Sequence, residues 1–238
     1  MGKIVAKFGG SSLSDAGQFR KVRDILLLDP RRIYVVPSAP GRRFDKDDKV
    51  TDLLYATHRQ CRDGGDWQCV FARVEERYRQ IAADLGLKTD LDAELLRIRR
   101  DVENGASEDY CASRGEYLNG LLMSDFLGFG FLDPKDYIFF TADGQFDSER
   151  TNQVLSDALA QMPNAVVPGF YGALPDGTVH TFSRGGSDIT GAIVARAAGA
   201  DLYENWTDVS GFLMADPRLV TGAKPIRNVT YRELRELS

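Results

Sequence analysis

Thr181-Phe182-Ser183-Arg184-Gly185-Gly186-Ser187-Asp188 is the stretch on which the reading of this chain turns. A strand-like apolar run, Ala165-Val166-Val167-Pro168-Gly169-Phe170, comes shortly before it. A helical run follows, with Ile189, Ile193, Val194 and Ala197 on one stripe. The two glycines therefore stand where a loop turns into a helix. Glycine lets a ligand approach the backbone because no Cβ stands in the way. The free N–H groups and the dipole of a helix start favour an anion. Arg184 adds a planar fork that matches carboxylate or phosphate, and Asp188 sets a carboxylate at the same mouth. The pattern is equally compatible with Ser187 and Asp188 capping a helix after a glycine turn.

A second junction of this kind opens the chain. Ile4-Val5-Ala6-Lys7-Phe8 reads as a short buried strand, followed by Gly9-Gly10-Ser11-Ser12. A helix is expected over Leu13 to Leu28, with Phe19, Val22, Leu26 and Leu27 as its apolar side. The loop is neither a Walker A sequence nor G-x-G-x-x-G. A lysine inside a buried strand is unusual unless its charge has a partner, which marks Lys7; the alternative is a lysine on an exposed edge. Arg32 to Val36 is the next strand, ended by the rigid loop Pro37-Ser38-Ala39-Pro40-Gly41. There Ser38 offers a hydroxyl to a ligand or to its own turn. Arg42 to Lys49 reads as charged and mobile. Thr51 then begins a helix, as a ligand contact or, as its position favours, as the N-cap.

Asp66 to about Asn104 is polar and helical in pattern, a helical insertion over about residues 60–105 with mostly solvated charges. His58 and His180 stand isolated, and neither carries a role. Ser107 to Leu127 is a strong helix. Its Glu116 has only Ala112, Ser113, Asn119 and Gly120 at helical neighbour spacing, which leaves room for something to dock beside an otherwise ordinary glutamate. Tyr137 to Phe140 reads as an aromatic strand, Glu149 to Met162 as a helix, and Leu174 to Thr178 as a hairpin-like turn. Asp201 to Phe212 reads as the last strand and turn. Alternating strands and helices predict an α/β fold with a largely parallel sheet covered on both faces. In such sheets ligands gather at the carboxyl ends of strands, where Lys7, Gly10, Ser38 and Arg184 all fall.

Composition narrows the function classes. The 238 residues suffice for a large core, and a formal charge of −5 argues against a nucleic-acid scaffold. Three cysteines with no C-x-x-C pair read as reduced thiols rather than a zinc site. There is no membrane-length apolar run and no signal-peptide core near Met1. A cytoplasmic protein is expected, with neither membrane nor nucleic acid as partner.

Lys7-Phe8-Gly9-Gly10-Ser11-Ser12, Ser113-Arg114-Gly115-Glu116-Tyr117, Ser183 to Asp188, Thr207-Asp208-Val209 and Asp216-Pro217-Arg218 resemble, in order, the signature blocks of aspartate kinases in the amino acid kinase superfamily. The resemblance implies a three-layer α/β/α sandwich. It implies transfer of the γ-phosphoryl of ATP to the side-chain carboxylate of L-aspartate, the first step toward lysine, threonine and methionine. By the same resemblance Lys7 neutralises the transferring phosphoryl, and Gly9, Gly10 and Ser11 donate backbone N–H groups to phosphate. Arg184 grips the substrate carboxylate, with Ser38, Thr51, Glu116 and Ser187 fixing the amino acid. Asp188 orients Lys7 or the substrate ammonium, and Thr207, Asp208, Arg218 and the residue at Leu213 serve ATP. Mg²⁺ is expected on the nucleotide phosphates rather than in a protein cage, and a homo-oligomer is expected. Leu213 stands where the family usually has tyrosine. The family's Gly-Ala-x-Val-Leu-His block and ACT domains have no counterpart, so residues 1–238 are expected to form a kinase domain incomplete at its C-terminal end. A non-catalytic binding fragment, or a kinase for another amino acid carboxylate, are the alternatives.

Overall fold

The computed structural model describes residues 2–183, 185–207, 211, 220, 222 and 224. Two compact units divide the chain, Met1–Trp206 and Thr207–Ser238. The architecture below is that of the first. Its strands are β1 (Ile4–Phe8), β2 (Arg32–Pro37), β3 (Gly130–Phe131), β4 (Ala165–Val166), β5 (Tyr171–Ala173), β6 (Val179–Thr181) and β7 (Leu202–Trp206). Five of them form one parallel sheet in the order β3-β4-β2-β1-β7, and β5 and β6 form an antiparallel hairpin. The helices are α1 (Ala16–Leu27), α2 (Val50–Arg62), α3 (Trp67–Leu85), α4 (Leu91–Glu103), α5 (Glu108–Leu127), α6 (Pro134–Tyr137), α7 (Ser148–Ala160) and α8 (Gly186–Ala198).

Strand alternation sorts the core into two halves. Ala6, Phe8, Val35 and Val166 meet Phe19, Val22, Leu54, Phe71, Tyr78, Leu95 and Leu118 from α1 to α5. Val5, Tyr34, Val36, Ala165 and Val167 meet Leu155, Leu159, Ile193 and Val194 from α7 and α8. The result is the three-layer α/β/α sandwich. Full burial of each large apolar side chain contributes roughly 1.5–3 kcal/mol. The stripes of α3 and α4 are inside this core, since Phe71, Val74, Tyr78, Ile81, Leu91, Leu95 and Ile98 are all buried.

Several expectations change. A short 3-10 turn over Gly10–Leu13 precedes α1, which begins only where Asp15 caps the Gln18 N–H. Leu26 takes the core position, leaving Leu27 about a quarter-turn away and 74% exposed. Residues 137–140 form no strand. Asp133 and Pro134 start the turn α6, and Phe139 and Phe140 make only single bridges, to Ala173 and Phe146. β4 is short because Pro168 has no N–H to offer, although Val167 and Gly169 on either side still donate to Val35 and Pro37. Residues 42–49 are tied down rather than mobile. Buried Asp47 accepts from Arg43 Nε at 2.8 Å and from Arg77 Nη2 at 2.6 Å, and Arg77 also donates to the Gly41 carbonyl. The solvated-charge reading of the helical stretch fails at Arg77 and at Glu75, which is buried against Arg99 and Arg79.

Candidate active site

Lys7 occupies the next-to-last position of β1, beside Val36 of β2 and Asn205 of β7. In-register neighbours of a parallel sheet point the same way, so Lys7 and Asn205 rise together on the α8 side. Lys7 is 7% exposed, and its Nζ lies 2.6 Å from Asp188 Oδ1 at the start of α8. Asn205 Nδ2 donates to the same oxygen at 3.0 Å. The buried cation thus has its charge partner, and of the two orientations expected for Asp188 the geometry displays the one toward Lys7. The Asp188 side chain is about half exposed, so the pair faces solvent at the carboxyl edge of the sheet.

The glycine turn after β1 lies directly beside this pair. A Cβ on Gly10 would sit 2.7 Å from the Ala39 carbonyl oxygen, and one on Gly41 would sit 2.7 Å from the Gly10 carbonyl carbon. The loops after β1 and β2 therefore cross backbone to backbone, and Gly41 N–H donates to the Gly10 carbonyl at 2.8 Å. The expectation that Gly9 donates to phosphate is corrected, because its N–H is taken by the Trp206 carbonyl at 3.1 Å. Gly10 and Ser11 keep N–H groups with no acceptor among the described residues, as the first residues of a helical turn must.

From the opposite face α5 reaches the same edge. Glu116 Oε1 accepts the Ala39 N–H at 3.0 Å, and Asn119 Nδ2 donates to the Ser38 carbonyl at 2.6 Å. Ser38 C=O and Ala39 N–H belong to one peptide unit, so two side chains one helical turn apart grip it at both ends. Glu116 is 5% exposed and Asn119 fully buried, and Glu116 Oε2 and Asn119 Oδ1 have no hydrogen-bond partner among the described residues. Burial pushes the Glu116 carboxyl up to about 7, against the lowering effect of the Ala39 N–H and Arg114. The ordinary solvated glutamate is thus excluded. The Ser38 N–H donates to the Phe8 carbonyl, next to Lys7, and the half-buried Ser38 hydroxyl has no partner among the described residues.

At α8 the cap position is Gly185, at φ 60°, a left-handed conformation that glycine adopts freely, and no side chain caps the helix. Ser187 and Asp188 lie within its first turn, so the reading of them as the caps is corrected. Gly186 and Ser187 leave their N–H groups unbonded among the described residues. Ser187 packs on Gly169, where a Cβ would lie 2.5 Å from its hydroxyl. Thr190 accepts the Phe170 N–H and donates to the Gly186 carbonyl, which fixes the segment entering β5 against α8. Thr51 is the second residue of α2, and the capping position belongs to Lys49, so the capping reading of Thr51 is corrected. Thr207 begins the second unit. Arg184, Asp208, Leu213 and Arg218 lie outside the described residues.

Lys7, Gly10, Ser11, Ser38, Glu116, Ser187 and Asp188 therefore come to one edge through a continuous set of contacts across the ends of β1, β2 and β4. Asn119 and Asn205 were missed. Asn119 sits between Leu118 and Gly120 on α5, a polar residue in an apolar run, whereas Asn205 follows Glu204 in β7 and nothing in the local pattern marks it. His180 is not isolated. It pairs with Asp109 at 2.8 Å, and Thr181 also donates to Asp109, latching the hairpin to the first turn of α5. No group of three His, Cys, Asp or Glu side chains among the described residues forms a metal cage.

The amino acid kinase family profile matches residues 2–238. The chain belongs to the amino acid kinase family. It is 37% identical over 255 residues to aspartokinase 3 of Bacillus subtilis, covering 98% of this chain and 55% of that protein. The fold is similar to the crystal structure of the Clostridium acetobutylicum aspartate kinase, with a TM-score of 0.95, 48% identity, and coverage of 100% of this chain and 55% of that one. Aspartokinase III of Escherichia coli, in complex with aspartate and ADP, gives a TM-score of 0.79 at 26% identity, covering 94% of this chain and 53% of that one. The chain thus spans about half the length of the relatives it matches. No helix among the described residues is long and apolar enough to cross a membrane.

Proposed function

We propose that this chain carries the catalytic machinery of an aspartate kinase, transferring the γ-phosphoryl of ATP to the side-chain carboxylate of L-aspartate to give 4-phospho-L-aspartate. One observation carries the proposal: a buried lysine, aimed by Asp188 and Asn205, at the sheet edge between two glycine turns whose N–H groups have no acceptor among the described residues. Phosphoryl transfer requires reactants held in line and charge neutralised, and needs no protein nucleophile. Lys7 meets the negative charge of the transferring group. The Gly10 and Ser11 N–H groups bind phosphate oxygens. Mg²⁺, carried on the nucleotide phosphates, supplies further charge neutralisation when bound.

The amino acid is held from the other side. Glu116, whose Oε2 has no partner among the described residues, takes the substrate ammonium, while Ser38, Thr51, Ser187 and Arg184 fix its carboxylates. Asp188 holds Lys7 on course rather than touching the substrate. Thr207, Asp208, Leu213 and Arg218 are assigned to the nucleotide by their place in the family's sequence blocks. The same reading makes the protein a cytoplasmic homo-oligomer serving lysine, threonine and methionine synthesis. A crystallised relative bound to aspartate and ADP supports the choice of substrates.

The test is hydroxamate trapping of the acyl phosphate from ATP, Mg²⁺ and L-aspartate, beside Lys7→Ala. Removing a preorganised cation from the transferring group should lower turnover by about a hundredfold or more. Equal product from both proteins would reject the mechanism. L-glutamate run in parallel identifies the acceptor acid.

A further inference from the structure

Glu116 and Asn119 share a feature that the grip on the Ser38–Ala39 peptide leaves unexplained. Each uses one of its two polar atoms on that peptide and keeps a second, buried acceptor without a donor among the described residues. The Asn119 amide has its orientation set by this contact. A carbonyl oxygen only accepts, so the nitrogen must face Ser38 and Oδ1 must face away. A buried acceptor with no donor carries its desolvation penalty uncompensated, and two on adjacent turns of one helix are a standing cost. No Lys or Arg donates to either atom among the described residues. Residues three apart on a helix are neighbours, so one small group with several N–H donors can serve both acceptors.

We infer that Asn119 is a second ligand of the amino acid's ammonium group, its Oδ1 accepting one N–H while Glu116 Oε2 accepts another. The assignment rests on the proposed amino acid site and extends it by a residue. It makes the subsite one carboxylate and one amide oxygen, both preorganised by the peptide they hold. Recognition of an α-ammonium is then shared, and Asn119 contributes specificity for amino acids over their deaminated analogues.

The experiment compares L-aspartate with succinate, which has both carboxylates and no ammonium, as ligands of the full chain by titration calorimetry or competition. Asn119→Leu keeps the volume and removes the acceptor. L-Aspartate should weaken about ten- to hundredfold, the range for a lost bond to a charged group. Succinate and ADP should each change by less than about threefold, since neither uses the bond. An equal loss for L-aspartate and succinate makes Asn119 a clamp only and overturns the inference, as does unchanged L-aspartate affinity. Should Asn119→Leu fail to fold, Asn119→Asp retains an acceptor. Its preference for L-aspartate over succinate should equal or exceed that of the wild type, and a lower preference overturns the inference. A wild-type chain that binds L-aspartate no better than succinate defeats the amino acid site itself, a failure visible without any variant.

Discussion

At pH 6 the binding of L-aspartate should expel a proton from Glu116, and at pH 8 it should not. Burial raises the Glu116 carboxyl from 4.5 to about 7. That gap amounts to about 3 kcal/mol against the ionised form. An ammonium docked on Oε2 supplies the missing counter-charge and returns the group to the ordinary carboxylate range. At pH 6 about nine in ten unliganded copies hold the proton, so each binding event releases nearly one proton; at pH 8 about a tenth do. Affinity should therefore fall about tenfold per pH unit below 7 and level off above it. Calorimetry in buffers of different ionisation enthalpy reads the proton count as a slope. A zero slope at pH 6, or the same slope in Glu116→Gln, refutes the reasoning. The sign for stability follows from the same shift. The folded chain holds this proton more tightly than the unfolded one. The contribution of Glu116 is therefore fully present below about pH 4.5 and is lost as pH rises through about 7. Unliganded Glu116→Gln should accordingly melt higher than wild type at pH 8, by an amount that shrinks at pH 5.

Two further perturbations probe the scaffold. Gly10→Ala drives a methyl against the Ala39 carbonyl and should separate the crossed loops, lowering the melting midpoint and weakening ADP together; an unchanged midpoint contradicts the crossing. Asp47→Ala strands buried Arg77 and should cost about 3–5 kcal/mol by urea unfolding, whereas a loss below about 1 kcal/mol would make the tether a surface contact.

Much of the sheet was legible because the strands that matter are apolar runs ended by Gly or Pro, as at Phe8-Gly9 and Val36-Pro37. The carboxyl-edge cluster was legible for the same reason: Lys7 is anomalous inside such a run. Elements whose ends depend on a side-chain cap were misjudged. Asp15 delays α1 and Asp133 starts a turn where aromatic residues suggested a strand, because a carboxylate bonded to backbone N–H overrides apolar patterning. The burial of Asp47, Arg77 and Glu75 was beyond periodicity altogether. The partners that bury them lie 24 to 30 residues away in the chain, and only the folded packing of α3 on the β2–α2 loop, for Arg77 with Asp47, and on α4, for Glu75 with Arg99, brings them together. Glu116 stood out by its small neighbours, but its bond to Ala39 could not be foreseen from spacing within one helix.

The position of β7 against β1 has a consequence for biosynthesis. The backbone N–H of Lys3 is bonded to Asp201, 198 residues later. At a ribosome speed of about 5–20 residues per second, the first strand waits roughly 10–40 s for the neighbour on one flank. Through that interval Lys7 has neither Asn205 nor Asp188, and the nascent chain presents a bare ladder of amides and carbonyls with a lone ammonium among them. The lysine assigned to chemistry in the finished protein thus doubles, during translation, as the charge that discourages that edge from pairing with another chain.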